Sequence, residues 1–211
     1  MTVAVSIRRR VALYGNVSDA ATGKPVEGAR VEITLAPRDF AKRLALQARA
    51  AGARWRALEE RSDRTRTAAG GHFHFLDLPV GSYTVVAYLP AAGSRYGTAT
   101  SQATLTRVIE DSKETVSRMS LDLKLPATIV RGKVTDTTGA PLRLAEVGLR
   151  GGPERAVTAD AGTYEISGLE AGKRTFVVSA RGFKDLTQTV ALGPGVVTTS
   201  DFTLQPSPPL T

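Results

Sequence analysis

His72 and His74 are the only histidines of the chain, and they alternate with Phe73 and Phe75. In an extended strand that spacing puts both imidazoles on one face and both phenyl rings on the other, so the pair could offer a metal ion two ligands. A catalytic zinc site takes three protein ligands and a structural one four. No flanking histidine or carboxylate pattern supplies the remainder, so no metal and no cofactor are expected, and the pair reads as an exposed polar strand face. Paired acids fare no better. Glu59 with Glu60, and Glu110 with Asp111, are adjacent in sequence rather than juxtaposed across a cleft, and solvated positions account for them. The absence of cysteine removes disulfides, thiolate ligands and cysteine nucleophiles. No Gly-x-Ser-x-Gly elbow, Walker loop or zinc-protease helix occurs, and the glycines lie at strand turns rather than before a phosphate-binding helix. No catalytic residue is assigned; the chain reads as a non-enzyme with no small-molecule substrate.

Charge offers a different chemistry. The 211 residues carry a net charge of +8, which favours acidic proteins, nucleic acid or anionic surfaces as partners. Residues 38 to 66 hold nine basic side chains against four acidic ones, so one segment supplies most of the surplus. Inside it, Phe40, Leu44, Ala48, Ala51, Trp55 and Leu58 recur at spacings of 4, 4, 3, 4 and 3, a helical stripe. Asp39 suits the positive end of the helix dipole, and Gly52 marks where the helix bends or splits.

Two destinations stay open for the stripe. It packs on the chain's own sheet or second domain, leaving the arginines in water, or part of it anchors a partner. In the second case the candidate partner-binding residues are Arg54, Trp55 and Arg56 with Arg43 and Arg49, because Trp and Arg are enriched at interface hot spots. With one Phe and one Trp on its apolar face, the segment supports membrane-surface binding weakly. Nucleic acid is not an expected partner, since one aromatic cannot provide interleaved base stacking.

The elements that must carry this segment show themselves as a repeat. The run from Thr67 to Ala87 matches the run from Thr158 to Val178 at a constant offset of 91, pairing Gly71 with Gly162, Phe73 with Tyr164 and Gly81 with Gly172. Upstream, Pro25, Ala29 and Val31 match Pro141, Ala145 and Val147 at an offset of 116. The difference of 25 residues is an insertion in the first copy, between its second and third recognisable strands. Leu13, Gly15 and Val17 alternate with polar positions, as do Val130, Gly132 and Val134, the period of two of a half-buried strand. Short strands separated by Gly- and Pro-containing turns indicate a sandwich or barrel. The second copy closes with a terminal hairpin, residues 188–192 and 196–204, whose counterpart is residues 103–109 and 115–125. Pro126 interrupts the pattern between the copies.

The succession G-x-V-x-D, T-G-x-P, A-x-V, G-x-F-x-F and L-P-x-G-S-Y-T-V resembles the carboxypeptidase regulatory-like domain, a prealbumin-like or transthyretin-like sandwich. The resemblance implies an all-β fold: two tandem Ig-like, prealbumin-like seven-stranded sandwiches, the first with an α-helical insertion. The expected domains are residues 1–125, with the insertion at about 38–63, then 126–205 and a flexible Pro-rich tail at 206–211. The first copy carries the fuller pattern; the second has Leu144 where the first has Gly28, and Gly168-Leu-Glu-Ala-Gly-Lys-Arg-Thr-Phe176 in place of the L-P-x-G-S-Y segment. Some related surface sandwiches form an internal Lys to Asn/Asp crosslink promoted by a buried acid; here Lys133 and Asp201 read as strand residues. Lys133, flanked by Gly132 and the inward Val134, is expected to point outward, and no companion acid occupies an obvious inward position, so no crosslink is expected.

A non-enzymatic structural or adaptor protein follows as the expectation, mediating protein–protein interaction in a large assembly such as a phage-tail-like contractile injection particle of bacterial origin. The alternative is a carbohydrate-binding or adhesion module presenting Tyr88 and Tyr96. The start of the chain places its Arg cluster after a short apolar run, the wrong order for a secretory signal, so synthesis in the cytoplasm is expected, with a particle or non-classical export as later destinations. No transmembrane segment is expected.

Overall fold

The computed structural model describes residues 10–110 and 112–208. The N-terminal apolar run with Arg8 and Arg9, Asp111 of the second acid pair, and the last three residues of the tail lie outside them. The described residues divide into two compact units: the first holds residues up to 91 and 98–125, the second 92–97 and 126 onward.

The first unit contains β1 (Val11–Asp19), β2 (Arg30–Leu35), α1 (Arg38–Ala51), β3 (Arg64–Arg66), β4 (His72–Leu76), β5 (Gly81–Tyr88), β6 (Ala99–Leu105), β7 (Arg107–Glu110), β8 (Lys113–Val116) and β9 (Met119–Leu125). One sheet runs β4-β1-β9 and the other β3-β2-β5-β6, while β7 and β8 form a separate antiparallel ribbon. β1 is antiparallel to β4 and parallel to β9. The inward row Leu13, Val17, Phe73, Phe75, Leu121 and Leu123 is buried, as the alternation predicts.

The second unit contains β10 (Ile129–Asp136), β11 (Glu146–Leu149), β12 (Arg155–Val157), β13 (Thr163–Ser167), β14 (Gly172–Ser179), β15 (Leu186–Leu192), β16 (Val197–Thr199) and β17 (Phe202–Leu204). Its sheets repeat the wiring of the first. β13 is antiparallel to β10, β10 is parallel to β16 and β17, and the second sheet runs β12-β11-β14-β15. β16 and β17 are one edge strand interrupted at Ser200 and Asp201. Across that gap the Asp201 carboxylate accepts the Lys133 backbone N–H at 2.8 Å, and the Tyr164 hydroxyl donates to the Ser200 carbonyl at 2.7 Å. Counted so, each unit is a seven-stranded sandwich. Val134, Val147, Tyr164, Phe176, Phe202 and Leu204 from both sheets form one buried cluster, and Phe176 meets Phe202 at 6.3 Å between ring centres. Burying each such side chain contributes about 1.5–3 kcal/mol.

Two details of the repeat are physical rather than compositional. Thr67 accepts the Ala29 N–H at 2.9 Å and donates to the Val26 carbonyl at 2.7 Å. Thr158 does the same with Ala145 and Leu142, at 2.9 and 2.6 Å. At the other detail the residues differ. Tyr83 is buried and donates to the Pro79 carbonyl four residues back at 2.6 Å, and burial pushes its phenol up to about 12, so it remains a donor across the neutral range. Arg174, which stands at the matching place, donates its Nε–H to the Glu170 carbonyl at 2.9 Å. The departure from L-P-x-G-S-Y keeps the bond and changes the donor.

Residues 92–97 are fastened within the second unit. The Ser94 hydroxyl and Arg95 Nε both donate to the Glu170 carboxylate, at 2.6 and 3.1 Å, and these two bonds, Ser94 first, hold that carboxyl below the usual range. The beginning of the Pro-rich tail is also tied: Lys184 N–H donates to the Gln205 carbonyl and Ser207 N–H to the Gly182 carbonyl, at 2.8 and 2.9 Å. The terminal hairpin of the first copy is more elaborate than the sequence suggests, since β7 and β8 add a ribbon where the second copy has only Gly193–Val196.

Candidate functional site

The insertion leaves β2 through Ala36 and Pro37, whose fixed φ of −57° suits the entrance to a helix. Asp39 lies in the first turn and Arg49 in the last, the arrangement the helix dipole favours. Phe40 is buried and meets Tyr83 edge-on at 6.0 Å, so the helix is pinned to β5 by an aromatic pair. Leu44, Ala48 and Ala51 continue the inward face and are half-buried.

The helix is shorter than the apolar spacing predicts. It stops at Ala51; Gly52, at φ 57°, breaks it, and a 3₁₀ turn over Gly52–Ala57 follows. Leu58 therefore falls off the stripe and is exposed, and residues 58–63 return to the sheet without helical structure. The expectation of a helical insertion across 38–63 is corrected to this extent, because a left-handed glycine cannot carry the 3.6-residue repeat through to Trp55 and Leu58.

What fastens the return is ionic. Glu59 accepts from Arg30 at 2.9 Å and Arg66 at 2.6 Å, the two arginines that face each other in the β2–β3 pairing. Those bonds, Arg30 first, hold its carboxyl below the usual range. Arg64 pairs with Glu32 of β2 at 2.5 Å. Arg61 grips Asp63 with both arms of its guanidinium at 2.9 Å, while Asp63 is buried. The same guanidinium lies 4.6 Å over the Trp55 ring. Sequence reasoning placed Glu59 in solvent, where it does stand exposed, but did not find the two arginines it binds, and it counted Asp63 as an acid of the segment without its partner Arg61. The available signal was Arg64 and Arg66 opposite Glu32 and Arg30, which makes one direct charge pair and leaves two facing arginines for Glu59 once β2 and β3 pair.

The predicted partner-binding residues separate into two groups. Arg49, Arg54 and Arg56 are exposed. Trp55 is half-buried beneath Arg61, and Arg43, though exposed, donates to the Asp77 carbonyl at 3.0 Å and covers the Phe40 ring at 5.5 Å. Between α1, residues 60–65 and β4 lies a cleft of about 480 Å³, lined among others by Arg43, Gln47, Ser62, Arg64 and His74.

The remaining candidates are distributed elsewhere. His72 and His74 project from the exposed face of β4, opposite Asn16 and Tyr14 of β1, with Phe73 and Phe75 inward. Among the described residues no group of three His, Cys, Asp or Glu converges. Tyr88 completes β5 half-buried, and its hydroxyl donates to Glu32 at 3.0 Å. Tyr96 belongs to the second unit, half-buried, and bridges to Ala127. The Lys133 side chain is exposed, as its place beside Gly132 and Val134 predicts. No helix among the described residues is long and apolar enough to cross a membrane.

Comparison with known proteins adds a family for part of the chain. Residues 129–205 match the family model of the carboxypeptidase regulatory-like domain. The match thus falls on the copy that departs from the pattern in two places; the first copy, interrupted by the insertion, lies outside it. No curated protein sequence matches the chain. Among solved structures, the Bacillus anthracis TIE protein is 16% identical over 93% of this chain, with a TM-score of 0.34, and this chain spans 34% of its length. A double mutant of the shaft pilin SpaA from Lactobacillus rhamnosus GG is 12% identical over 96% of this chain and 99% of its own, with a TM-score of 0.43. The minor pilin of Streptococcus agalactiae is 14% identical over 94% and 97%, with a TM-score of 0.33.

Proposed function

We propose that this chain is a non-enzymatic structural or adaptor protein in which two sandwiches space binding surfaces and the insertion of the first docks on a protein partner. The assembly it serves is a large one, of which a phage-tail-like contractile injection particle is an example. One observation carries most of the reading. The second unit completes the same strand wiring with only residues 150–154 between β11 and β12, where the first carries residues 36–63 between β2 and β3. A sandwich does not need this segment to close, yet the chain fastens it with an aromatic pair and two arginine–carboxylate contacts to Glu59, and braces it internally with Arg61 on Asp63. Arg49, Arg54 and Arg56 then present charge, while Trp55 and Arg43 hold the surface in shape.

The test is sedimentation of the native protein from its host beside a variant in which residues 36–63 are replaced by the short loop of the second unit. The full chain should travel with a large particle and the variant should not. Monomeric migration of the full chain, or particle association by both, would overturn the reading.

A further inference from the structure

The charges of the insertion are sorted by side. Arg61, Arg64 and Arg66 are paired with Asp63, Glu32 and Glu59, and these pairs lie where the segment rejoins the sheet. Arg38, Lys42, Arg49, Arg54 and Arg56 are all exposed, and no ion pair joins any of them to another described residue. At about 100° per residue, Arg38, Lys42 and Arg49 fall within about 40° of one another around the helix, on the side away from Phe40, Leu44, Ala48 and Ala51. They span about 16 Å along the axis. Arg38 and Lys42 are four residues apart, a like-charge spacing that weakens an isolated helix. Asp39 and Glu60 are the insertion's only other acids, and neither is ion-paired to the row. The row is thus a concentrated, uncompensated cationic surface held on a fixed support.

We infer that this outward row, Arg38, Lys42 and Arg49 continued by Arg54 and Arg56, is the docking surface for an acidic segment of a protein partner. This rests on the proposed docking role and names the chemistry of what docks. Charge complementarity selects an anion, and the composition of the surface selects among anions. A membrane needs an apolar wedge beside the cations, but Phe40 is already buried in the chain's own unit. Single-stranded nucleic acid is gripped by exposed aromatics that stack on bases, and the row carries none: Trp55 lies under Arg61. What flanks the row is Ala41, Ala45 and Ala53, small side chains that let another backbone come close, with Leu46 65% exposed beside them. Arginines around a small apolar step make a protein interface.

The experiment measures binding of the full chain to poly-L-glutamate by fluorescence anisotropy, with two charge-matched variants. R38E/K42E/R49E reverses the row; K173E/R181E/K184E reverses three exposed cations of the second unit. Reversal of the row should weaken binding by about 10-fold or more and flatten its salt dependence, while the second variant changes it by about 3-fold at most. Circular dichroism verifies that each variant folds, and R38Q/K42Q/R49Q replaces the reversal if it does not. Equal loss in both variants would overturn the inference, as would displacement of poly-L-glutamate by duplex DNA or by phosphatidylglycerol vesicles at equal charge concentration. If native-particle association depends on residues 36–63 but survives reversal of the row, the docking role stands and the acidic partner surface is wrong.

Discussion

The two units share one wiring and differ in what each adds to it. In the first, an insertion follows β2 and a ribbon of β7 and β8 precedes β9; in the second both connections are short. The common scaffold tolerates these additions because the pairing of β1 with β4 and β9, and of β10 with β13, β16 and β17, is completed by residues outside them. The comparison also separates roles from residue types. Tyr83 and Arg174 close the same four-residue return with different donors, while Glu170, which stands where the first copy has Pro79, also binds Ser94 and Arg95. A substitution that looks like decay of the pattern in one copy serves a contact that the other copy does not make.

The sharpest way to break the equivalence is at the glycine of the central strand. A Cβ on Gly15 would run into the Leu121 carbonyl oxygen, and one on Gly132 into that of Ser200, where each strand meets its parallel neighbour. Gly15→Ala and Gly132→Ala should each cost about 3 kcal/mol, each in its own unit, as measured by denaturant unfolding with a probe in each. Unfolding unchanged in either would show that the parallel strand gives way and that the close approach is not shared.

Smaller effects are expected at the return. Tyr83→Phe leaves the Pro79 carbonyl without its donor at a part-buried site beneath the buried Tyr83 ring and should cost about 1–2 kcal/mol in thermal unfolding of the first unit. Arg174→Leu, at a half-buried position, should cost about 0.5–1 kcal/mol in the second. A larger loss at Arg174 than at Tyr83 would reverse the ranking that burial predicts.

Leu144 tests the comparison in the opposite direction. Gly28 adopts φ 73° at no steric cost, whereas Leu144, its counterpart, is held at φ 57° with its side chain 66% exposed. Leu144→Gly should stabilise the second unit by about 0.5–1 kcal/mol, the relief of left-handed strain less the added freedom of the unfolded chain. A destabilised variant would mean that the exposed Leu144 side chain makes contacts that outweigh the strain.

The smallest effect concerns the insertion alone. Glu59 has its carboxyl lowered by Arg30 and Arg66, so what it contributes is present above the ordinary carboxylate range and is lost as pH falls through and below it. The protection factors of amides in residues 58–66, taken relative to intrinsic exchange at each pH, should therefore fall on acidification before those of β11 and β12, and Glu59→Gln should remove the difference. Simultaneous loss of protection in both places would show that these ion pairs do not fasten the segment.

Much of the scaffold was legible in the sequence because its signals are local. A period of two in β1 and β10, glycine at the turns and a constant offset of 91 between matching runs all arise from neighbours along the chain, where strand geometry alone dictates which side chains turn inward. The insertion was legible as a helix for the same reason, and Gly52 as its weak point. The candidate surface was legible only in part. Arg49, Arg54 and Arg56 stand exposed as the stripe implies, but the stripe extended the helix too far, to Trp55 and Leu58.

The sequence by itself therefore determined the strand pattern, the repeat and the place of a basic, helical insertion between the second and third recognisable strands of the first copy. Only the tertiary structure decided which charges are spent and which are free. Arg30 and Glu59 are 29 residues apart, and Arg95 and Glu170 are 75 apart. An ion pair is specified by where two chain segments meet rather than by spacing along either one, and a guanidinium that grips a carboxylate is, in the sequence, no different from one that faces water. The same holds for Leu144, whose strain comes from a backbone angle imposed by the turn between β10 and β11. Local periodicity fixes direction in or out; the partners are chosen when the sheets close.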